Sequence, residues 1–181
     1  MLKNFIYNET KGVIFDYEKD YALGHIISAD FDFRHGLSRV MDARYSIRAC
    51  LKSVYGKGYW DGRGYCLISN NGHIFNFVVK DKYWMKTTYD RLREAFVECR
   101  DLMLACGVTR LAIPRVGNGM DELEWVKVHD IIFEVFDSTD LEVRVVYVNE
   151  YIDGDIIDAD MEKNNYKKRR TIDGETAKKY F

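Results

Sequence analysis

The chain predicts an α/β fold, a three-layer α/β/α sandwich around a central mixed sheet, and three observations predict it. Apolar runs of strand length alternate with amphipathic helical stretches, the order that lays helices on both faces of a sheet. The runs around Ile26, Ile113 and Val145 are apolar on both faces, as strands covered from two sides are. Asn70-Asn71-Gly72 joins two further runs as a hairpin turn, since Asn and Gly accept the positive φ that such a turn requires.

Period and composition place strands at 4–7, 12–16, 21–28, 64–69, 73–79, 108–113 and 141–148. Helices are expected at 37–54, 87–106 and 122–136. The middle helix is the clearest, because Tyr89, Leu92, Phe96, Cys99, Met103 and Cys106 recur every three or four residues, with Thr87 as cap and Gly107 as stop. In the last, Trp125, Val128, Ile131, Ile132, Val135 and Phe136 form a similar stripe, closed by Asp137-Ser138-Thr139-Asp140.

The chain has 181 residues, 47% of them hydrophobic and 14% aromatic, enough for one domain with a substantial core. A net charge of -2 excludes a surface that tracks nucleic acid over its whole extent. Cys50, Cys66, Cys99 and Cys106 show no C-x-x-C spacing and no histidine at a zinc-ligand interval, which predicts reduced, buried thiols and no metal. No signal-like or membrane-spanning run is present, so a soluble cytoplasmic protein with no membrane partner is expected. Residues 1–149 read as one domain and 150–181 as a charged extension: residues 150–162 hold six acids, and 163–170 hold five basic residues. That basic run is a candidate contact for nucleic acid or protein.

The only proline opens Pro114-Arg115-Val116-Gly117-Asn118-Gly119-Met120-Asp121, between the strand ending at Ile113 and the last helix. Two closely spaced glycines after a strand bring bare backbone N–H groups up to an anion, and Asp121 stands where it can cap the helix or reach into what the loop holds. This loop, with three further segments, resembles the macrodomains that bind ADP-ribose. The segments are Lys11-Gly12-Val13-Ile14-Phe15, Leu23 to Ser28 running through Gly36-Leu37, and Phe77-Val78-Val79-Lys80. The likeness is to the branch of terminal ADP-ribose protein glycohydrolases and of antitoxins that remove ADP-ribose from DNA, and it covers residues 11–148.

The resemblance implies that a first loop, 28–37, and a second, 114–121, close over the diphosphate and distal ribose. It puts Ser28, Gly36, Leu37, Val116, Gly117, Asn118, Gly119 and Met120 at the ligand, and Arg34 and Pro114 stand beside them as further candidate contacts. It also implies Lys80 as nucleophile and Asp121 as acid/base: an amine attacks the anomeric carbon, displaces the linked group and forms a Schiff-base-type adduct, while the acid shuttles protons. Lys80 must then be desolvated to supply a neutral amine. No cofactor is implied, and the substrate is ADP-ribose on a protein or nucleic acid. His25 with Asp121 matches the pair of a phosphatase branch acting on ADP-ribose-1''-phosphate, the alternative catalytic reading. A non-catalytic ADP-ribose reader is the third.

Two positions depart from the family pattern. Val13 stands where an acid meets the adenine amino group, so adenine must be held elsewhere or less tightly. The first loop, commonly small and glycine-rich, reads Phe33-Arg34-His35-Gly36, so Arg34 either contacts phosphate or narrows the entrance.

Overall fold

The computed structural model describes residues 3–148, 150–152 and 155–157. Six strands make one sheet: β1 (Ile6–Lys11), β2 (Ala22–Ile27), β3 (Tyr65–Ser69), β4 (Ile74–Val78), β5 (Arg110–Ile113) and β6 (Glu142–Tyr147). Their order is β1-β6-β5-β2-β4-β3, parallel throughout except for β3, which runs antiparallel to β4. The mixed sheet is therefore as expected, and the strands read as apolar on both faces do lie inside it. A separate antiparallel pair, β7 (Glu150–Ile152) and β8 (Asp155–Ile157), falls where periodicity marked nothing. The basic run at 163–170 lies outside the described residues.

Helices cover both faces. On one side α3 (Tyr89–Cys106) and α4 (Trp125–Phe136) enclose Phe75, Phe77, Leu111, Val143 and Val145. On the other, α1 (Gly36–Tyr45), α2 (Ile47–Tyr55) and a 3₁₀ turn at Ile14–Tyr17 enclose Leu23, Ile27, Ile74 and Val78. Alternation along each strand sends odd and even residues to opposite cores, which gives three layers. Gly24 marks a close approach within this packing, because a Cβ there would stand 2.7 Å from Cζ of Phe77 and 2.8 Å from Cγ2 of Ile113.

Four local expectations are corrected. Residues 12–16 are no strand: β1 extends through Lys11, and the chain then turns into the 3₁₀ segment. The helix expected over 37–54 breaks at Ser46, which adopts φ 54° and ψ 41°. That left-handed residue ends α1, and the carboxylate of Asp42 accepts the N–H of Arg48 at 2.7 Å to start α2. The last helix begins at Trp125 rather than 122, because Glu122 at φ 56° cannot continue a right-handed helix. Cys106 is exposed at the end of α3, off the buried stripe of Leu92, Ala95, Phe96, Cys99 and Met103. All four cysteines are free, and burial raises the Cys66 thiol well above its ordinary pKa. The hairpin turn is as expected, with Asn70, Asn71 and Gly72 all at positive φ. Among the described residues no helix is long and apolar enough to cross a membrane.

Candidate functional site

Because β2, β4 and β5 run parallel, the loops that follow them emerge at one edge of the sheet. Lys80 lies two residues beyond β4 and ties the three loops together. Its carbonyl accepts the N–H of Ala29 in the first loop at 2.9 Å, and its Nζ lies 2.9 Å from Oδ1 of Asp121 in the second. Both side chains are buried, with Lys80 at 6% and Asp121 at 8% exposure, so the desolvation expected of Lys80 is present. In this setting neither charge is dispersed by water, and each depends on the other.

Asp121 caps no helix. Its Oδ1 also accepts the backbone N–H of Thr87 at 3.0 Å, and Thr87 Oγ1 donates to the Val79 carbonyl at 2.7 Å. Thr87 therefore orients the acid, and the cap of α3 passes to Thr88, whose hydroxyl accepts from the N–H of Arg91 at 3.3 Å.

The second loop folds on its own backbone. The Gly117 carbonyl accepts the N–H of Leu123 at 2.8 Å, and Gly119 accepts that of Glu122 at 3.2 Å. Gly117 has φ 81°, and a Cβ there would stand 2.7 Å from Cδ1 of Leu123, so the position requires glycine on two counts. Val116, Gly117 and Asn118 are buried, Pro114 and Met120 are partly covered, and Gly119 is exposed. The base of the loop is clamped by a residue the sequence reading missed, Glu9. Its carboxylate accepts from Arg115 Nη2 at 2.7 Å and from Trp125 Nε1 at 3.0 Å, while the Arg115 guanidinium lies 4.1 Å over the Tyr147 ring. Burial alone raises the Glu9 pKa, but the hydrogen bonds from Tyr7, Arg115 and Trp125 outweigh it and hold the carboxyl below its ordinary value. The half-buried alternation of β1 was the available signal, and it does not single out Glu9.

In the first loop Ser28 is buried and donates to Asp30 Oδ1 at 2.5 Å, while Asp30 Oδ2 accepts the N–H of Tyr83 at 3.2 Å. Arg34 is engaged with protein groups: its Nε lies 2.8 Å from Asp32 Oδ2, its Nη1 donates to Tyr83 Oη at 3.2 Å, and its guanidinium stacks 4.6 Å above the Tyr83 ring. Gly36, at φ 59°, opens α1 with Leu37 buried behind it, and no side chain caps that helix.

His25 is not brought to Asp121. It is 1% exposed, faces Asn76 on β4, and its Nε2 lies 2.7 Å from Asn76 Oδ1. The Asn76 amide donates to the Leu67 carbonyl at 3.0 Å and to Ser69 Oγ at 3.1 Å, so its oxygen is the end that accepts and His25 carries its proton on Nε2. Burial pulls the His25 pKa from 6.5 to about 4, which keeps the ring neutral.

No family model matches the chain. Over 135 residues the chain is 28% identical to the ADP-ribose glycohydrolase OARD1 of Homo sapiens, a stretch covering 75% of this chain and 87% of that protein. The solved macrodomain of Mycobacterium tuberculosis DarG superposes with a TM-score of 0.66 at 14% identity, covering 79% of this chain and 98% of that one. Thermosipho africanus DarTG, solved in complex with ADP-ribose, superposes with a TM-score of 0.60 at 16% identity over 80% of this chain and 43% of that one.

Proposed function

We propose, from the premise that this chain is a macrodomain of the glycohydrolase and DarG type, that it binds ADP-ribose and cleaves the bond joining ADP-ribose to a modified macromolecule. The observation that carries the proposal is the buried Lys80–Asp121 contact of 2.9 Å at the meeting point of three loops. Residues 1–149 form the catalytic domain in this reading, and 150–181 an extension to it.

In the proposed reaction Asp121 takes a proton from Lys80 Nζ. The neutral amine then attacks the anomeric carbon of the distal ribose, a new C–N bond forms as the bond to the leaving group breaks, and the ribose ring opens at that carbon, its oxygen taking a proton from the nitrogen, to leave a Schiff base. Asp121 returns the proton to the departing group. Water then adds at the same carbon, the C–N bond breaks, and free ADP-ribose leaves with Lys80 restored. Ser28, Gly36 and Leu37 in the first loop, with Gly117 to Met120 in the second, offer backbone N–H groups to the diphosphate and ribose, while Pro114, which has no N–H, and Val116, whose N–H is given to the Pro114 carbonyl at 2.8 Å, line the site and shape the loop. Arg34 is placed at the entrance in this reading, where its stacking on Tyr83 supports a role in shaping the opening rather than in seizing phosphate.

The phosphatase alternative has less support, because Asp121 is paired with Lys80 and His25 with Asn76. The test is incubation with ADP-ribosylated protein, ADP-ribosylated DNA and ADP-ribose-1''-phosphate. Release of ADP-ribose from a macromolecule, loss of that release in Lys80→Ala, and a borohydride-trapped adduct on Lys80 are the expected results. Survival of all three substrates while calorimetry registers ADP-ribose binding would leave a non-catalytic reader.

A further inference from the structure

Asp30 joins the first loop to the segment that carries Lys80. Both of its carboxylate oxygens are engaged: Oδ1 accepts from Ser28 Oγ at 2.5 Å and from the N–H of Asp32 at 3.3 Å, and Oδ2 accepts the N–H of Tyr83 at 3.2 Å. Its main chain reaches the same segment. The Asp30 N–H donates to the Asp81 carbonyl at 3.1 Å, beside the bond from Ala29 to the Lys80 carbonyl at 2.9 Å. These two bonds carry the contact between β2 and β4 beyond their last paired residues, Ile27 and Val78. Residues 80–83 are therefore folded around Asp30, with Lys80 at the start of the enclosed stretch.

The turn that presents Asp30 is strained. Phe31 has φ 51°, a left-handed conformation that bulky side chains rarely adopt. Such a residue persists only where its surroundings fix it, and strain of this kind gathers at functional sites. Here the Phe31 ring is 1% exposed in the core beneath α1 and α2, its N–H donates to the Ser28 carbonyl at 3.1 Å, and the Asp30 side chain closes onto the N–H two residues on. The demand on Lys80 explains what the turn is held for. Its amine reaches the anomeric carbon through a flexible side chain, so its aim is only as good as the seating of its backbone. Attack needs the reacting atoms within about 3 to 3.5 Å, and a displacement of about 1 Å costs about 10²-fold in rate.

We propose that Asp30 is a positioning residue of the reaction: by holding Ser28 on one side and the Tyr83 main chain on the other, it sets the place of Lys80 relative to a ligand in the first loop. The inference rests on the reading of Lys80 as nucleophile and adds the group that aims it. Asp30 transfers no proton in this role, since its oxygens are occupied by one O–H and two N–H donors. What it supplies is acceptors at fixed points.

The test follows three quantities in the full chain, using whichever ADP-ribosylated protein or DNA the intact protein cleaves. They are the single-turnover rate of ADP-ribose release, the rate at which borohydride traps the Lys80 adduct, and the calorimetric affinity for ADP-ribose. In Asp30→Ala the two rates are expected to fall together by about 10²-fold while the affinity stays within about threefold. Asp30→Asn keeps an oxygen for the Tyr83 N–H, and its amide can donate to a turned Ser28 hydroxyl. It is expected to restore both rates to within about fivefold, with the pH profile unchanged. If circular dichroism shows Asp30→Ala unfolded, Asp30→Ser takes its place: its hydroxyl can accept the Asp32 N–H but, one bond shorter and with a single oxygen, cannot also serve Tyr83. Undiminished rates in the folded alanine or serine variant, a loss of affinity as large as the loss of rate, or an asparagine variant as slow as the alanine one overturns the inference. Absence of release from the intact protein, or release with no adduct on Lys80, overturns the nucleophile reading itself.

Discussion

Nζ of Lys80 lies 2.9 Å from Oδ1 of Asp121, 41 residues away in sequence, and the same oxygen accepts the Thr87 N–H at 3.0 Å. The acid therefore has one partner that supplies charge and one that supplies direction. Lys80→Ala leaves the carboxylate buried with Thr87 alone, and breaking a buried pair in this way costs about 3 to 5 kcal/mol. Asp121→Asn keeps an acceptor for Thr87 and is expected to cost less. Both variants, measured on protein shown by circular dichroism to be folded, are expected to slow ADP-ribose release by about 10² to 10⁴. Urea denaturation checks the order of stability, and equal midpoints for Lys80→Ala and the intact chain would contradict the buried pair.

The contact between His25 and Asn76 predicts a pH dependence of stability. The folded ring has a pKa of about 4, against 6.5 for the ordinary value, chiefly because it is buried. Between those values the unfolded chain binds more proton than the native one, so stability falls as pH drops through this window and levels off below it. The full effect is about 3 kcal/mol. His25→Gln, whose amide can still donate to Asn76, is expected to flatten the slope of unfolding free energy between pH 6.5 and 4. Identical slopes in the two proteins would show that the ring is not buried neutral.

Much of this was legible because it is local or periodic. The stripe of α3, the Asn70-Asn71-Gly72 turn and the strand, glycine loop and helix around Pro114 each write their physics within a few consecutive residues. Asp121 was marked by its glycine loop, but Lys80 was legible only through the family pattern, since strand-end lysines are ordinarily solvated and nothing local marks this one as buried. What was not legible depends on groups distant in sequence. Glu9 clamps Arg115 and Trp125 across more than a hundred residues, and Thr87 serves Asp121 rather than its own helix. Ser46 carries no composition signal for a left-handed residue between two helices, so α1 and α2 read as one.

Gly117 and Gly119 look alike in sequence and are expected to behave differently. Alanine at Gly117 meets both a positive φ of 81° and Leu123 at 2.7 Å, which predicts a loss of about 1 to 3 kcal/mol and a distorted second loop. Alanine at Gly119 meets nothing within 4 Å and no positive φ, so its melting temperature is expected to match that of the intact chain. Differential scanning calorimetry of the two variants decides this. Equal melting temperatures would mean that the Gly117 turn is not as described.

Glu9 is expected to control the second loop from outside it. In Glu9→Gln the amide oxygen can keep Trp125, but Arg115, 2.7 Å away, loses its charged acceptor, at a cost of about 1 to 3 kcal/mol. Arg115 sits between Pro114 and Val116, so loosening it also loosens the backbone proposed to hold the diphosphate, and ADP-ribose affinity is expected to fall in the same variant. The sign with pH follows from the lowered pKa of Glu9. Its contribution is complete above the ordinary carboxylate range and is lost as pH falls through the folded value, so the stability gap between the intact chain and Glu9→Gln should close in acid. Guanidinium denaturation at pH 7 and near pH 3 measures that gap; a gap that persists undiminished in acid would assign it to shape rather than to charge.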